Sequence, residues 1–128
     1  LSQQPKAEAG LVALNPENGA ILALVGGFDY QTSKFNRVTH ANRQPGSSFK
    51  PFIYSAALDK GFTLATVIND APIVVENQYD NSLWRPLNDT HKFYGLTRLR
   101  TAITNSRNLV TIRLLALTGM PYTVNYLK

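Results

Sequence analysis

Two short apolar runs, residues 11–14 and 20–25, flank the segment Asn15-Pro16-Glu17-Asn18-Gly19. Asn-Gly supplies the positive-φ positions that a reversal between antiparallel strands needs, so this pattern predicts a two-stranded hairpin. Residues 1–10 are polar, include Pro5 and show no apolar period, and they read as a lead-in. Gly26-Gly27 frees the backbone, and residues 28–44 read as a surface loop anchored by Phe35. From Phe49 onward, Phe49, Phe52, Ile53, Ala56 and Ala57 follow the i, i+3, i+4, i+7, i+8 spacing of an amphipathic helix. Pro51 has no N–H to give and is tolerated only in a first turn, so this helix must begin at about Ser47. Lys60-Gly61 ends it, with glycine at the position that takes a left-handed conformation.

Residues 70–89 predict a short strand at Ile73-Val74-Val75 set in long polar loops. Leu96, Leu99, Ala102 and Ile103 form a second helical stripe, interrupted at residues 104–108. Leu109, Ile112, Leu115 and Ala116 form a third, and Val124-Asn125-Tyr126-Leu127 opens something further. A two-stranded hairpin, one short strand and three helices do not close an α+β core by themselves, so the 128 residues read as a piece of a larger fold.

Composition narrows the classes. With 44% hydrophobic and 16% charged residues, the chain is neither a disordered tail nor a charged linker. No apolar run approaches the roughly 20 residues of a membrane span. There is no basic-then-apolar leader, so any targeting information is expected either to have been removed or to lie outside these residues. The net charge of +5 would suit a polyanion, but Arg98, Arg100, Arg107 and Arg113 punctuate an apolar pattern and make no continuous basic face. Nucleic acid is therefore not an expected partner. The absence of cysteine removes disulfides, zinc ribbons and thiol chemistry.

Ser47 and Lys50 lie about 60° apart on a helix, on a side away from the Phe49/Phe52/Ala56 stripe. A serine at a helix start gains from backbone N–H groups that can hold a developing oxyanion, and a desolvated lysine one turn on can take its proton. Ser48 is the poorer candidate, because Pro51 stands at its +3 position. Seven serines and six lysines give about 0.3 such pairs by chance, so alone the pair reads first as a helix cap beside a solvated lysine. Ser106-Arg107-Asn108 sits where two stripes break, and a tight turn there could aim a hydroxyl and an amide into one cleft. Standing alone, the tripeptide reads first as a capping turn, since Ser and Asn favour helix ends. His40 and His91 have no acidic companions at triad or metal spacing and read as surface residues.

At these residues the chain resembles the class A penicillin-binding proteins, most nearly their 1A type. R-Q-P-G-S-S-F-K-P-F (Arg43 to Phe52) with Ile53-Tyr54-Ser55-Ala56-Ala57-Leu58-Asp59 looks like the family's nucleophile segment. Trp84-Arg85-Pro86-Leu87-Asn88, then Phe93-Tyr94-Gly95-Leu96-Thr97-Arg98-Leu99-Arg100 and Ser106-Arg107-Asn108-Leu109, follow in the family's order. The resemblance spans roughly residues 10–120 and implies an α+β fold, a fragment of the penicillin-binding-protein and serine β-lactamase type with an antiparallel sheet flanked by helices. Residues 1–10 would be linker, and residues 11–128 the N-terminal part of a D,D-transpeptidase domain within a bifunctional glycosyltransferase and transpeptidase.

By the same resemblance Ser47 is the acylated nucleophile, Lys50 the proton acceptor, Ser106 a proton relay and Asn108 a binder of the stem peptide or the β-lactam side chain. No metal or organic cofactor is implied. The implied partners are the D-Ala-D-Ala stem pentapeptide, an acceptor strand and β-lactams, outside the cytoplasmic membrane, reached through an N-terminal anchor that these residues do not include. The family's third motif, Lys-Ser/Thr-Gly, does not occur, so a second chain or segment is expected to complete the site. A β-lactam-binding sensor or scaffold and a serine β-lactamase are the alternatives within this chemistry.

Overall fold

In the computed structural model, residues 3, 6–76 and 82–128 are described. They gather into two units, Leu1–Gln44 and Pro45–Lys128. The first is built on the expected hairpin. Strands β1 (Leu11–Leu14) and β2 (Ile21–Val25) pair antiparallel from Leu11↔Val25 to Leu14↔Ile21. Asn15 and Asn18 accept the N–H groups of Glu17 and Ala20 on their side chains, and Gly19 takes φ +72°. The turn therefore folds on local chemistry alone. Phe35 does not anchor the following loop, since it is 49% exposed. Asn36 holds it instead, accepting from Val38 N and Thr39 N, while Arg37 N bonds Gly26 O. A Cβ on Gly26 would meet Asn36 Oδ1, so the glycine is required there.

The second unit carries the helices. A single 3-10 turn, Gly46–Phe49, runs into α1 (Lys50–Asp59) with Pro51 in its first turn, as the proline requires. The helical stretch thus opens at Gly46, near the expected start. Gly61 (φ +101°) ends it, with Gly61 N donating to Leu58 O and Phe62 N to Ala57 O, a Schellman closure. The buried face keeps Ile53, Ala56 and Ala57 of the expected stripe but turns away from its other two members: Phe49 and Phe52 are exposed, and Lys50 and Tyr54 are buried in their place. The lysine therefore sits on the packing side of α1.

Strand β3 (Val67–Asp70) follows; β4 (Val75–Glu76) pairs with β5 (Leu83–Trp84) in a two-residue ladder, shorter and later than the Ile73–Val75 strand expected. The part of the expected loop at residues 77–81 lies outside the described residues. Residues 95–98 are strand β6 (Gly95–Arg98) and not helix, because they pair antiparallel with β3 from Val67↔Arg98 to Asp70↔Gly95. This leaves Leu96 80% exposed, off any packed stripe. Helix α2 (Leu99–Thr104) begins there, its first N–H groups donating to Thr66 O and Leu64 O. Helices α3 (Asn108–Thr118) and α4 (Met120–Tyr126) complete the unit, and α4 is the element that residues 124–127 only hinted at. In α3 the buried residues are Leu109, Val110, Thr111, Leu114 and Thr118, so its inward face is turned from the expected Leu109/Ile112/Leu115/Ala116 stripe.

The core joins Tyr54, Ala57, Ile68, Leu99, Ala102, Val110 and Leu114, with Phe62 and Ile103 against it. Its principal helix contact is α1 on α3. That contact sets the start of α1 beside the turn that precedes α3. The result is an α+β arrangement with small antiparallel sheets and flanking helices, as expected.

Candidate active site

The turn between α2 and α3 is the second Schellman closure of this unit. Arg107 N donates to Ala102 O at 2.9 Å and Ser106 N to Ile103 O at 3.1 Å. Ser106 occupies the left-handed position at φ +52°, where α1 uses Gly61. A side chain there costs about 1–2 kcal/mol relative to glycine. The same hydrogen-bonding device thus ends two helices, with glycine at one and a strained serine at the other.

The strained conformation directs Ser106 at α1. Lys50, only 8% exposed, donates three hydrogen bonds: to Ser106 O at 2.6 Å, Ser106 Oγ at 2.8 Å and Asn108 Oδ1 at 2.6 Å. These are all the donors an ammonium possesses. Ser106 Oγ in turn donates to Ser47 Oγ at 3.2 Å. Ser47, Lys50, Ser106 and Asn108 therefore form one connected group, although 56–59 residues separate its two halves. Ser47 stands exposed in the 3-10 turn that opens α1. It borders a cleft of about 270 Å³, which Asp89, Thr90, Asn105, Arg107 and Asn108 also line.

Burial pushes the Lys50 ammonium below the ordinary lysine value of 10.5, and the nearby charge of Asp89 opposes this. A lysine that loses its proton keeps two donors for the two carbonyl oxygens, which can only accept. Its free lone pair then faces the one partner able to reverse its hydrogen bond, the Ser106 hydroxyl. The arrangement can thus carry a proton from Ser47 through Ser106 to Lys50.

Arg107 points away from the group, its guanidinium carbon 3.4 Å from the centre of the Tyr94 ring. Hydrogen bonds to Thr90 and Arg107 hold the Tyr94 phenol below its usual value. His40 and His91 are exposed, as expected. The sequence reading missed the residues behind Asn108. Asp70 is fully buried and Asn88 2% exposed, and Asn88 Nδ2 donates to both Asp70 carboxylate oxygens, at 2.8 and 3.0 Å. Apart from the Trp84–Asn88 match, the segment read only as polar loop, because buried and exposed asparagines look alike in sequence.

The penicillin-binding protein transpeptidase domain family matches residues 9–128, and the chain belongs to that family. Within it, the chain is 53% identical to penicillin-binding protein 1A of Pseudomonas aeruginosa over 125 residues, 98% of this chain. It is 47% identical to penicillin-binding protein 1A of Escherichia coli over its whole length. In each case it spans 15% of the length of the relative. Penicillin-binding protein 1A from Haemophilus influenzae has a crystal structure that superposes with a TM-score of 0.91 at 46% identity, covering 98% of this chain and 19% of that one. PonA1 of Mycobacterium tuberculosis in complex with penicillin V superposes with a TM-score of 0.78 at 26% identity, covering 96% of this chain and 31% of that one.

Proposed function

We propose that the protein carrying this segment is a serine D,D-transpeptidase that cross-links peptidoglycan, in a chain that also bears a glycosyltransferase. The observation that supports it most is the Lys50 ammonium held by two carbonyl oxygens and one hydroxyl, with that hydroxyl bonded to Ser47.

Ser47 Oγ attacks the carbonyl between the two terminal D-alanines. Its proton moves to Ser106 Oγ as the Ser106 proton passes to neutral Lys50. The tetrahedral adduct collapses, the C–N bond breaks, and the departing D-Ala amine takes the Ser106 Oγ proton, which Lys50 replaces as it returns to neutral. The amine of a neighbouring strand then attacks the acyl-serine and loses its proton to the relay as the ester bond breaks. Asn108 fixes Lys50 through Oδ1 and flanks the cleft that receives the stem peptide. A β-lactam presents the same carbonyl, but its leaving group stays tethered, so the acyl-enzyme lingers. The complete protein acts on the outer face of the cytoplasmic membrane, held there by an anchor; among the described residues no helix is long and apolar enough to cross a membrane. Residues 11–128 form the N-terminal part of the transpeptidase domain, and acylation needs the segment bearing Lys-Ser/Thr-Gly, a tripeptide these 128 residues do not contain.

The test is labelling by a fluorescent penicillin. The full-length protein is expected to label once, on Ser47, and Ser47→Ala not at all. Release of D-Ala from a pentapeptide separates a transferring or hydrolysing enzyme from a sensor that only acylates. The isolated 128 residues are expected to stay unlabelled; stoichiometric labelling of Ser47 in them would overturn the need for the third motif.

A further inference from the structure

The four groups of the relay do not hold themselves. Asn108 is both the first residue of α3 and a partner of Lys50, and two residues of the β5–β6 connection grip it. Its side-chain Nδ2 donates to Leu87 O at 2.9 Å, which leaves Oδ1 as the end that faces Lys50. Its backbone N–H donates to Asn88 Oδ1 at 2.9 Å, and Leu109 N donates to the same oxygen at 3.3 Å. Asn88 therefore caps α3 from outside the helix, in place of Arg107, which makes no side-chain capping bond.

The orientation of Asn88 is fixed from behind. Its Nδ2 donates to the Asp70 carboxylate and to Lys92 O at 2.9 Å. With both amide hydrogens committed there, the carbonyl oxygen has one direction left, toward Asn108 and Leu109. A flipped amide would set an NH2 against two N–H donors and an oxygen against a carboxylate. Asp70 sits on β3 where that strand pairs with Gly95 of β6, and Tyr94 N donates to its carbonyl at 3.2 Å. The buried carboxylate is thereby tied to the sheet.

We propose that Asn88, oriented by Asp70, is a positioning residue of the acyl-transfer site: it sets the start of α3 so that Asn108 and Ser106 meet Lys50. This inference rests on the transpeptidase reading above and adds a control that acts through hydrogen bonds and touches no substrate. Its signature is in pH. When the grip on Asn108 fails, water reaches Lys50 and its ammonium is stabilised, so a larger share of it is protonated near neutrality. Asp89 acts on Lys50 from the same connection and already favours the charged form. Arg107 is turned onto Tyr94, and Asp70 faces Asn88.

The test measures the second-order rate of acylation of the full-length protein by a fluorescent penicillin across about pH 6 to 10, normalised to the fraction that labels. Asn88→Asp opposes two carboxylates in a buried site and sets one against Lys92 O. The exchange Asp70→Asn with Asn88→Asp restores a donor facing an acceptor between the two side chains, still sets an oxygen against Lys92 O, and leaves a carboxylate at the α3 N-terminus. Asn88→Asp is expected to slow acylation by about 100-fold near neutrality and to move the rising limb to higher pH; the exchange is expected to recover at least about tenfold and return the limb toward its original position. A merely structural role would lower the labelled fraction and leave the rate per labelled site and the limb unmoved, and that result overturns the proposal. If Asn88→Asp does not fold, the exchange is compared with Asp70→Asn alone, and equal rates and limbs in those two also overturn it. Failure of the unaltered protein to label on Ser47 refutes the transpeptidase reading instead.

Discussion

Ser106→Gly and Ser106→Ala together separate chemistry from strain. Both remove the Oγ that accepts from Lys50 at 2.8 Å and donates to Ser47 at 3.2 Å. Losing those two bonds costs both variants alike, about 0.5–1.5 kcal/mol for each bond. They differ in the backbone, since residue 106 stays at φ +52° to keep the Arg107-to-Ala102 and Ser106-to-Ile103 closures. Alanine retains the left-handed penalty of about 1–2 kcal/mol, while glycine escapes it. Glycine gives back roughly 0.5–1 kcal/mol in unfolded-state entropy. The balance leaves Ser106→Gly more stable than Ser106→Ala by up to about 1.5 kcal/mol, opposite to the usual preference for alanine over glycine near a helix. Urea denaturation of the two full-length variants reads this difference as a shift in the midpoint of the transition that reports the unit carrying α1–α3. Both variants are expected to lose about 10²- to 10⁴-fold in penicillin acylation rate. Equal stabilities, or a more stable alanine variant, would refute the strain argument, and wild-type acylation by either would refute the relay.

Lys50→Arg is expected to be as inactive toward penicillin as Lys50→Ala, about 10²-fold or more below wild type, because a guanidinium keeps its proton and cannot accept one from Ser106. The acylation rate should rise with pH along a limb below 10.5, and Asp89→Asn should move that limb lower still, since it removes the charge that favours the ammonium. For stability the sign is the reverse of a salt-bridged lysine. Between the lowered folded value and 10.5 the unfolded chain binds more protons, so the stability cost of burying Lys50 shrinks as pH rises through that window, which denaturation at several pH values can follow. Tyr94→Leu should cost about 0.5–2 kcal/mol by removing the face beneath Arg107, whereas Tyr94→Phe, which keeps the ring, should cost clearly less in the same assay. Leu114→Ala, at a fully buried core position, should cost about 2–5 kcal/mol by chemical denaturation, with the acylation rate per folded molecule unchanged.

The features legible along the chain are those whose energetics are local. Asn18-Gly19 forces the hairpin, Pro51 limits where α1 can begin, and Gly61 ends it, because each acts on its own backbone within a few residues. The two candidate-site segments were legible as motifs, through their resemblance to a family. Which face of each helix turns inward was legible only in part: Ile53, Ala56 and Ala57 of α1 and Leu99 and Ala102 of α2 are buried as the spacing predicts. The same spacing also pointed to Phe49 and Phe52, yet the folded chain exposes both and buries Lys50. That lysine is tolerated on the inside only because three acceptors arrive from Ser106 and Asn108, and no pattern around residue 50 records acceptors 56–58 residues away. Strand β6 is a similar case, since Leu96 fits a helical stripe and becomes strand only because β3 is there to pair with it. Asp70 and Asn88, two polar residues in what read as loop, become the best-buried polar pair of the site for the same reason. A buried polar group survives where its partners are assembled around it, and assembling them is a property of the whole fold.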